Sequence, residues 1–293
     1  MSGAGMDGVL VCDKPAGVTS HDVVARVRRL ARQRRVGHGG TLDPPATGVL
    51  VVALGRATRL LPFLPMEPKR YLAGIAFGMQ TDTLDAAGSV TGTAPVDGID
   101  REAVARGLER LTGPQEQVPP MVSAVKLDGE RLYRKARRGE TVERSPRPIV
   151  VHALELLDFE AGPPPRATVE VTCSGGTYVR VLAADLGRSL GSLAHLASLR
   201  RTAVGAFTER EASTLAELEA LPNLEKALID PAAAMRSTSV RKLSEPEAAA
   251  LATGQTLEPT GAGEPVAALD PDGRLVAVIQ DGGGRARAKV VLR

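Results

Sequence analysis

Short segments with strand periodicity alternate with segments of helical periodicity along this chain, without a regular βαβ repeat. In residues 70–78, RYLAGIAFG, the side chains of Tyr71, Ala73, Ile75 and Phe77 alternate onto one face of an extended chain. The same reasoning predicts helices after Thr19, after Asp100 and over 179–190, and further strands over 167–174 and near 199–204. This mixture predicts an α+β fold built on a mixed, largely antiparallel sheet.

The composition changes over residues 209–230, where the chain becomes acidic and rich in Ala and Leu. The tail beyond carries two strand-like runs around the turn at 270–273 and a third run after the glycines at 282–284. We therefore predict a larger domain over residues 1–232 and a small C-terminal β domain over residues 233–293.

Composition and motif content exclude several classes of protein. No apolar run approaches the roughly 20 residues that span a bilayer, and the first residues lack the basic and apolar regions of a secretory signal. We expect a cytoplasmic protein with no membrane partner. Cys12 and Cys173 lie in separate strand-like runs and are interpreted as small buried residues. The four histidines lack metal-ligand spacing and no nucleotide-binding motif occurs, so neither a metal nor a cofactor is expected.

Basic residues are concentrated in two segments, although the net charge is only +3. The predicted helix after Thr19 has no acid beyond Asp22, and its outer side carries Arg26, Arg28, Arg29, Arg32, Arg34 and Arg35. Residues 126–148 hold eight Lys or Arg against four acids, within a proline-bounded excursion at about 119–148. Both segments suit a phosphate backbone, while a solvated helix face is the alternative for the first.

Residues 37–50, GHGGTLDPPATGVL, place one carboxylate in a loop that is permissive on one side and stiff on the other. Gly39 and Gly40 allow a tight turn, whereas Pro44 drives the backbone of Asp43 toward an extended conformation. The segment has no second acid, which paired-carboxylate chemistry or a metal cage would need. Asp43 is therefore either a turn residue or a nucleophile, acid or base that acts alone.

The aromatic content limits how a nucleic acid could be bound. The chain has no Trp, four Phe and three Tyr. Each base stacked on an aromatic ring contributes about 1–3 kcal/mol, so a protein that grips many single-stranded bases would need more rings. This composition suits an enzyme that flips one base out of a structured RNA.

Five ordered segments between residue 9 and about residue 230 resemble the motifs of the TruB-type tRNA pseudouridine-55 synthases. They read VCDKPAGVTSHDVV, GHGGTLDPPATGVLVVALGRATRLL, KRYLAGIAFGMQTDTLDAAG, PPMVSAVKLDGERLYRKARRGE and CSGGTYVRVLAADLGRSLGSLAHLASLRRTAVG. The resemblance implies a catalytic domain of the pseudouridine synthase fold followed by a PUA-like RNA-binding domain. It also implies isomerisation of uridine 55 in the TΨC loop of tRNA, by base flipping and without a cofactor.

The resemblance assigns roles to individual residues. Asp43 becomes the essential aspartate, acting on uracil C6, on sugar C1′ or in glycal formation. Tyr71 corresponds to the tyrosine that stacks on the flipped base, with proton transfer at C2′ as a further role, and Arg180 to the arginine that pairs with the aspartate. The remaining substrate-binding positions are His38, which fills the space left by the base, Tyr178, Leu199, and the two rim lysines Lys14 and Lys126. Independently of the resemblance, we expect Arg28, Arg29 and Arg32 of the arginine-rich helix to contact the RNA backbone.

The expected partner is the T arm of tRNA, bound by a monomer without a guide RNA. Two alternatives stay open at this point. One is the guide-RNA-dependent relative of archaea and eukaryotes. The other is a tRNA-binding and folding factor whose isomerase activity is dispensable, which needs only the arginine-rich helix, the basic excursion and the β tail.

Overall fold

A computed structural model describes residues 5–123, 126–127, 129–131, 138, 140 and 142–292 of the chain. The described chain divides into two compact units. The first unit comprises the described residues of Met1–Asp43, Gly48–Met66 and Val204–Arg293, and the second those of Pro44–Thr47 and Glu67–Ala203.

Strands make up most of the regular structure in the described residues. In chain order they are β1 (Gly8–Lys14), β2 (Val36–Gly39), β3 (Thr47–Leu54), β4 (Lys69–Phe77), β5 (Met79–Thr81), β6 (Val90–Thr93), β7 (Gly113–Gln117), β8 (Lys126–Leu127), β9 (Glu130–Arg131), β10 (Arg147–Glu160), β11 (Arg166–Cys173), β12 (Ala194–Val204), β13 (Phe207–Thr208), β14 (Ser213–Thr214), β15 (Val240–Lys242), β16 (Val266–Leu269), β17 (Leu275–Gly282) and β18 (Arg285–Val291). Most of them are eight residues long or shorter.

Helices are fewer and short. The α-helices are α1 (Ser20–Leu30), α2 (Arg101–Arg110), α3 (Val179–Ser189), α4 (Leu215–Ala220), α5 (Pro231–Ala234) and α6 (Glu245–Ala252). Single 3₁₀ turns occur at Gly55–Leu60, Glu209–Glu211 and Leu224–Ala227. No helix of the described chain is both long enough and apolar enough to cross a membrane.

The first unit contains two sheets. In one, β1 lies between β14 (parallel) and β3 (antiparallel), and β2 pairs antiparallel with residues 51–54 of β3. Helix α1 covers this sheet through Val23, Val24 and Val27, which pack against Leu10 and Val52. In the other, the strand order is β15-β16-β17-β18.

The tail of the chain shares a core with the start of the chain. Val278 and Val290 of the C-terminal sheet belong to the same buried cluster as Val9 and Val51 of β1 and β3. The tail is thus packed within the first unit. The proposed boundary between residues 232 and 233 stays a prediction.

The second unit is built on the strand order β12-β4-β11-β10-β7. The pairs β4–β11, β11–β10 and β10–β7 are antiparallel, with Tyr71 opposite Val171 and Lys69 opposite Cys173. Together with the parallel pairs β1–β14 and β15–β16, these ladders confirm the predicted α+β fold with a mixed, largely antiparallel sheet.

Most elements lie where periodicity predicts them, including β4, α2, α3 and the three tail strands. Strand β12 begins at Ala194, five residues before the predicted start. The prediction missed its first residues, AHLAS, because they have weak intrinsic strand preference. Helix α1 ends at Leu30, since Arg32 adopts a left-handed backbone with φ 48°. Arg32, Arg34 and Arg35 therefore follow the helix, and the prediction of one arginine face extending to Arg35 is wrong.

Two helical glycines offer a test of packing in the second unit. A Cβ on Gly187 would lie 2.6 Å from the backbone nitrogen of Ala194, whereas one on Gly107 would lie 2.7 Å from Leu186 Cδ1, a side-chain methyl that can shift more easily than backbone. Alanine improves helix propensity by about 1 kcal/mol at either position. We expect Gly187→Ala to lower the free energy of unfolding by about 1–3 kcal/mol in urea titrations. Gly107→Ala is the control, and an equal loss in both variants would contradict this packing.

Candidate active site

The loop that carries Asp43 is fastened to the first turn of α1. Ser20 Oγ accepts a hydrogen bond from the backbone nitrogen of Leu42 at 3.0 Å and donates one to its carbonyl oxygen at 3.2 Å. Gly40 has φ 76°, which an L-residue with a side chain rarely adopts. With Leu42 held and Pro44 limiting the other side, the backbone around half-buried Asp43 has little freedom.

His38 lies on β2, at the start of the same loop. Its ring meets the ring of His21 edge to face, with centroids 5.2 Å apart and planes at 84°. His21 and Ser20 are consecutive residues at the start of α1. The first turn of this helix therefore contacts both ends of the glycine-rich loop, close to His38 and close to Asp43.

Lys14 is not a rim residue. Its side chain is 0% exposed, and Nζ donates to the carbonyl oxygens of Pro15 at 2.9 Å and Val18 at 2.8 Å. A buried ammonium needs such acceptors. This ammonium ties down the turn that leads into α1, and the phosphate contact of Lys14 stays a prediction.

The arginines of α1 differ in their surroundings. Arg28, Arg29 and Arg32, which are predicted to contact the RNA backbone, are all exposed. Arg28 Nη2 donates to the carbonyl oxygen of Val36 at 2.8 Å, and Arg26 lies 3.4 Å from the carboxylate of Glu219 on α4. Glu219, from a distant part of the sequence, thus places a carboxylate beside the arginines of α1. The periodicity of the helix alone could not predict this contact.

Tyr71 lies on β4 and is 7% exposed. Its side chain forms a hydrogen bond with Arg201, a residue of β12 that is only 1% exposed. Burial lowers the pKa of Arg201, and the contact with Tyr71 opposes that shift. Arg201 was not among the predicted site residues. Its spacing could have indicated it, because Arg201 lies two residues after Leu199 and on the same face of the strand.

Arg180 lies in the first turn of α3 and is 3% exposed. Its guanidinium donates to the carbonyl oxygens of Thr83 at 3.1 Å and Val122 at 2.9 Å, and Nη1 lies 3.6 Å from Asp85 Oδ2. Asp85 Oδ1 also accepts from Thr83 Oγ1 at 2.7 Å and from the nitrogen of Ala87 at 3.0 Å. Asp85 thus fixes its own turn and adds a negative charge beside Arg180.

Three further predicted positions belong to the second unit. Tyr178 is half-buried at the start of α3, where buried Gln117 bonds its backbone twice, accepting from its nitrogen at 2.7 Å and donating to its carbonyl at 3.2 Å. Leu199 is half-buried on β12. Lys126 belongs to β8, and its side chain lies outside the described residues.

The structure thus places each predicted residue within its own unit. The first unit brings His38 and Asp43 to one loop, and the second brings Tyr71 beside Arg201 and Arg180 beside Asp85. A joint site of Asp43, Tyr71 and Arg180 stays a prediction. In the described part of the chain, no group of three or more His, Cys, Asp or Glu residues could hold a metal ion.

Solved structures share this fold. A chain from a crystal structure of a Cbf5–Nop10–Gar1 complex is 26% identical with a TM-score of 0.74, covering 98% of this chain and 85% of that one. A chain from an H/ACA RNP bound to a substrate RNA containing 2′-deoxyuridine is 25% identical with a TM-score of 0.71, again covering 98% and 85%. The fold is that of the pseudouridine synthases.

Family models and curated relatives cover nearly the whole chain. The N-terminal model of the TruB family pseudouridylate synthases matches residues 28–179, and two C-terminal models, of tRNA pseudouridylate synthase B and tRNA pseudouridine synthase II, match residues 180–237 and 239–293. The protein named tRNA pseudouridine synthase B of Thermobifida fusca is 50% identical, covering 97% of this chain and 98% of its own. The same-named proteins of Rhodococcus jostii and Mycobacterium tuberculosis are 46% and 45% identical, covering 98% of this chain and 94% and 96% of theirs. The chain belongs to the TruB family of pseudouridylate synthases.

The bonds between Ser20 and Leu42 predict how the aspartate loop responds to mutation. In Ser20→Ala the buried Leu42 amide loses its acceptor, so we expect a loss of about 1–3 kcal/mol in unfolding free energy. We also expect faster hydrogen exchange at the Leu42 amide. Ser189→Ala is the control, since that hydroxyl donates to the Leu186 carbonyl within α3. Unchanged hydrogen-exchange protection of the Leu42 amide would show that the hydrogen bonds of Ser20 do not hold the loop.

Proposed function

We propose that this protein isomerises uridine 55 to pseudouridine in the TΨC loop of tRNAs. The observation that carries the proposal is family membership over nearly the full length, with relatives named tRNA pseudouridine synthase B at 45–50% identity. The motifs quoted above extend from residue 9 to about residue 230 of the sequence. The substrate is therefore a folded RNA, and the activity is an intramolecular transfer.

The reaction itself is balanced without a co-reactant. The bond between uracil N1 and sugar C1′ breaks, the base rotates, and a bond between C5 and C1′ forms. The proton lost from C5 is matched by one gained at N1, so substrate and product are isomers. This chemistry calls for one acid or base and a site that retains the detached base. A loop with a single carboxylate, Asp43, supports that assignment.

We assign the catalytic roles to Asp43, Tyr71 and Arg180. Asp43 attacks uracil C6 or sugar C1′, or assists glycal formation. Arg180 pairs with Asp43 and keeps the carboxylate ionised once RNA has excluded water. Tyr71 stacks on the flipped base, with Leu199 and Tyr178 beside it and His38 in the space that the base leaves. The restrained loop at Asp43 and the burial of Arg180 and Tyr71 support these roles.

A stand-alone tRNA enzyme is favoured over the two alternatives. The similarity to the proteins named tRNA pseudouridine synthase B, at 45–50% identity, is far greater than that to chains from complexes with Nop10 and Gar1, at 25–26%. A folding factor would need the basic surfaces alone and would not depend on Asp43. Both alternatives are outcomes of the first experiment below.

The first prediction of the proposal concerns the carboxylate. Asp43→Asn keeps the size of the side chain but removes its charge, so we expect tRNA binding to persist and pseudouridine formation to be lost. The measurement is carbodiimide labelling and primer extension on an unmodified tRNA transcript with the purified protein alone. Wild type should give a stop at the T-loop uridine.

The control for this experiment is Asp97→Asn, an exposed aspartate in a turn of the second unit, which should retain activity. A stop with Asp43→Asn would refute the role of Asp43. If neither wild type nor variant gives a stop on a transcript that binds, a guide-dependent or folding-factor function would replace the proposal.

The second prediction concerns the exposed arginines. Arg29→Gln combined with Arg32→Gln removes two proposed phosphate contacts and spares Arg28, whose bond to Val36 has a structural role. Each lost contact should flatten the log–log dependence of tRNA affinity on salt by about 0.7–0.9. The measurement is a salt titration of binding. The matched control combines Arg101→Gln with Arg106→Gln on α2, and an equal change in both variants would remove α1 from the RNA interface.

A further inference from the structure

Arg201 stands out among the buried groups of the second unit, because it is a 1% exposed cation beside Tyr71. A guanidinium carries N–H donors and no acceptor, so the phenol oxygen of Tyr71 must be the acceptor in their hydrogen bond. A guanidinium is removed from water only where hydrogen bonds replace the lost hydration. The phenol oxygen is thus held by a fixed, positively charged donor.

The sheet explains why these two side chains meet. Tyr71 and Lys69 lie on one face of β4, and their antiparallel partners on β11 are Val171 and Cys173. Strand β12 is bonded to the other edge of β4 and carries Arg201. Val171, opposite Tyr71, and Ala73, two residues further along β4, are buried apolar neighbours on the same face of the sheet.

The charges that surround this contact are mainly positive. Lys69 interacts with Arg201, and its pKa is lowered by burial and then by that neighbouring cation. Glu67 opposes the shift of Lys69, and its carboxylate accepts from the backbone nitrogen of Gly175 at 2.9 Å. Burial raises the pKa of the Cys173 thiol to about 11, so this thiol is neutral near pH 7. Arg201, Lys69 and Glu67 are thus among the charged groups near the phenol.

We propose that Arg201 is a positioning residue for Tyr71: its guanidinium holds the phenol oxygen, aims the phenol hydroxyl away from the guanidinium, and stabilises the phenolate. Arg201 acts through Tyr71 and does not touch the RNA. The inference deepens the proposed function and rests on it for its catalytic consequence. A purely structural arginine would affect stability but would not change how Tyr71 ionises.

The chain allows a direct test because it has three tyrosines and no tryptophan. The ultraviolet absorbance of tyrosinate is titrated in wild type and in Tyr71→Phe, and the difference isolates Tyr71. The same pair is then measured in the Arg201→Gln background. We expect phenolate formation to need a pH higher by about one unit without Arg201, which is a tenfold change in the ionisation constant. Circular dichroism on the same samples checks that the proteins are folded.

Arg70→Gln is the matched control, since Arg70 is an exposed cation next to Tyr71 on the opposite face of β4. It should leave the titration within a few tenths of a unit, because exposed charges are screened by water. An unchanged titration in folded Arg201→Gln would overturn the proposal. Because no RNA is present, this result is independent of whether the protein modifies tRNA.

A second variant covers the case in which Arg201→Gln does not fold. Arg201→Lys keeps the positive charge but loses the planar fork of donors. We expect kcat on a tRNA transcript to fall at least about tenfold with little change in KM, because the loss acts on the orientation of Tyr71 and not on RNA binding. Wild-type kcat in Arg201→Lys would overturn the proposal.

Discussion

The second unit is organised around the burial of two guanidinium groups. Arg180 and Arg201 are 3% and 1% exposed, and a buried cation is tolerated only where polar groups replace its hydration. For Arg180 those groups are two backbone carbonyls and the carboxylate of Asp85, and for Arg201 the phenol of Tyr71 is one of them. Because arginine does not lose its proton in proteins, both charges are permanent. The turn at residues 81–87 provides the partners of Arg180, and the pairing of β4 with β12 brings Arg201 next to the strand that carries Tyr71.

The first unit follows the same rule with different groups. Lys14 is buried against two carbonyls, and the hydroxyl of Ser20 satisfies both backbone groups of Leu42. These bonds fix the turn before α1 and the loop after β2 to the same end of one helix. A buried polar group with its partners specifies one geometry, because any other arrangement leaves a donor or acceptor unpaired. The position of Asp43 in its loop is consequently set by polar contacts that lie behind it.

Much of the fold and part of the site could be predicted from the sequence. Alternating apolar residues identified β4, and capping residues identified α1 and α2, because these signals are local. The burial of the Lys14 side chain could not be predicted, since a lysine at the end of a strand is usually solvated, and its acceptors at Pro15 and Val18 depend on how the following turn folds. Arg201 was missed because its partner lies 130 residues earlier in the chain. The end of α1 was missed because a left-handed backbone at an arginine has no sequence signature as clear as glycine.

An enzyme with one reacting carboxylate depends on how charge is arranged around it. A metal or a second acid would supply polarisation directly, whereas a lone aspartate relies on fixed protein dipoles and cations that cost no reorganisation during the reaction. Buried arginines suit this purpose, because their charge is independent of pH and their donors are rigid. In the proposed mechanism Arg180 serves Asp43, and Arg201 serves Tyr71 in the same manner. In that mechanism Asp43 and Tyr71 are each oriented by a permanent cation of their own.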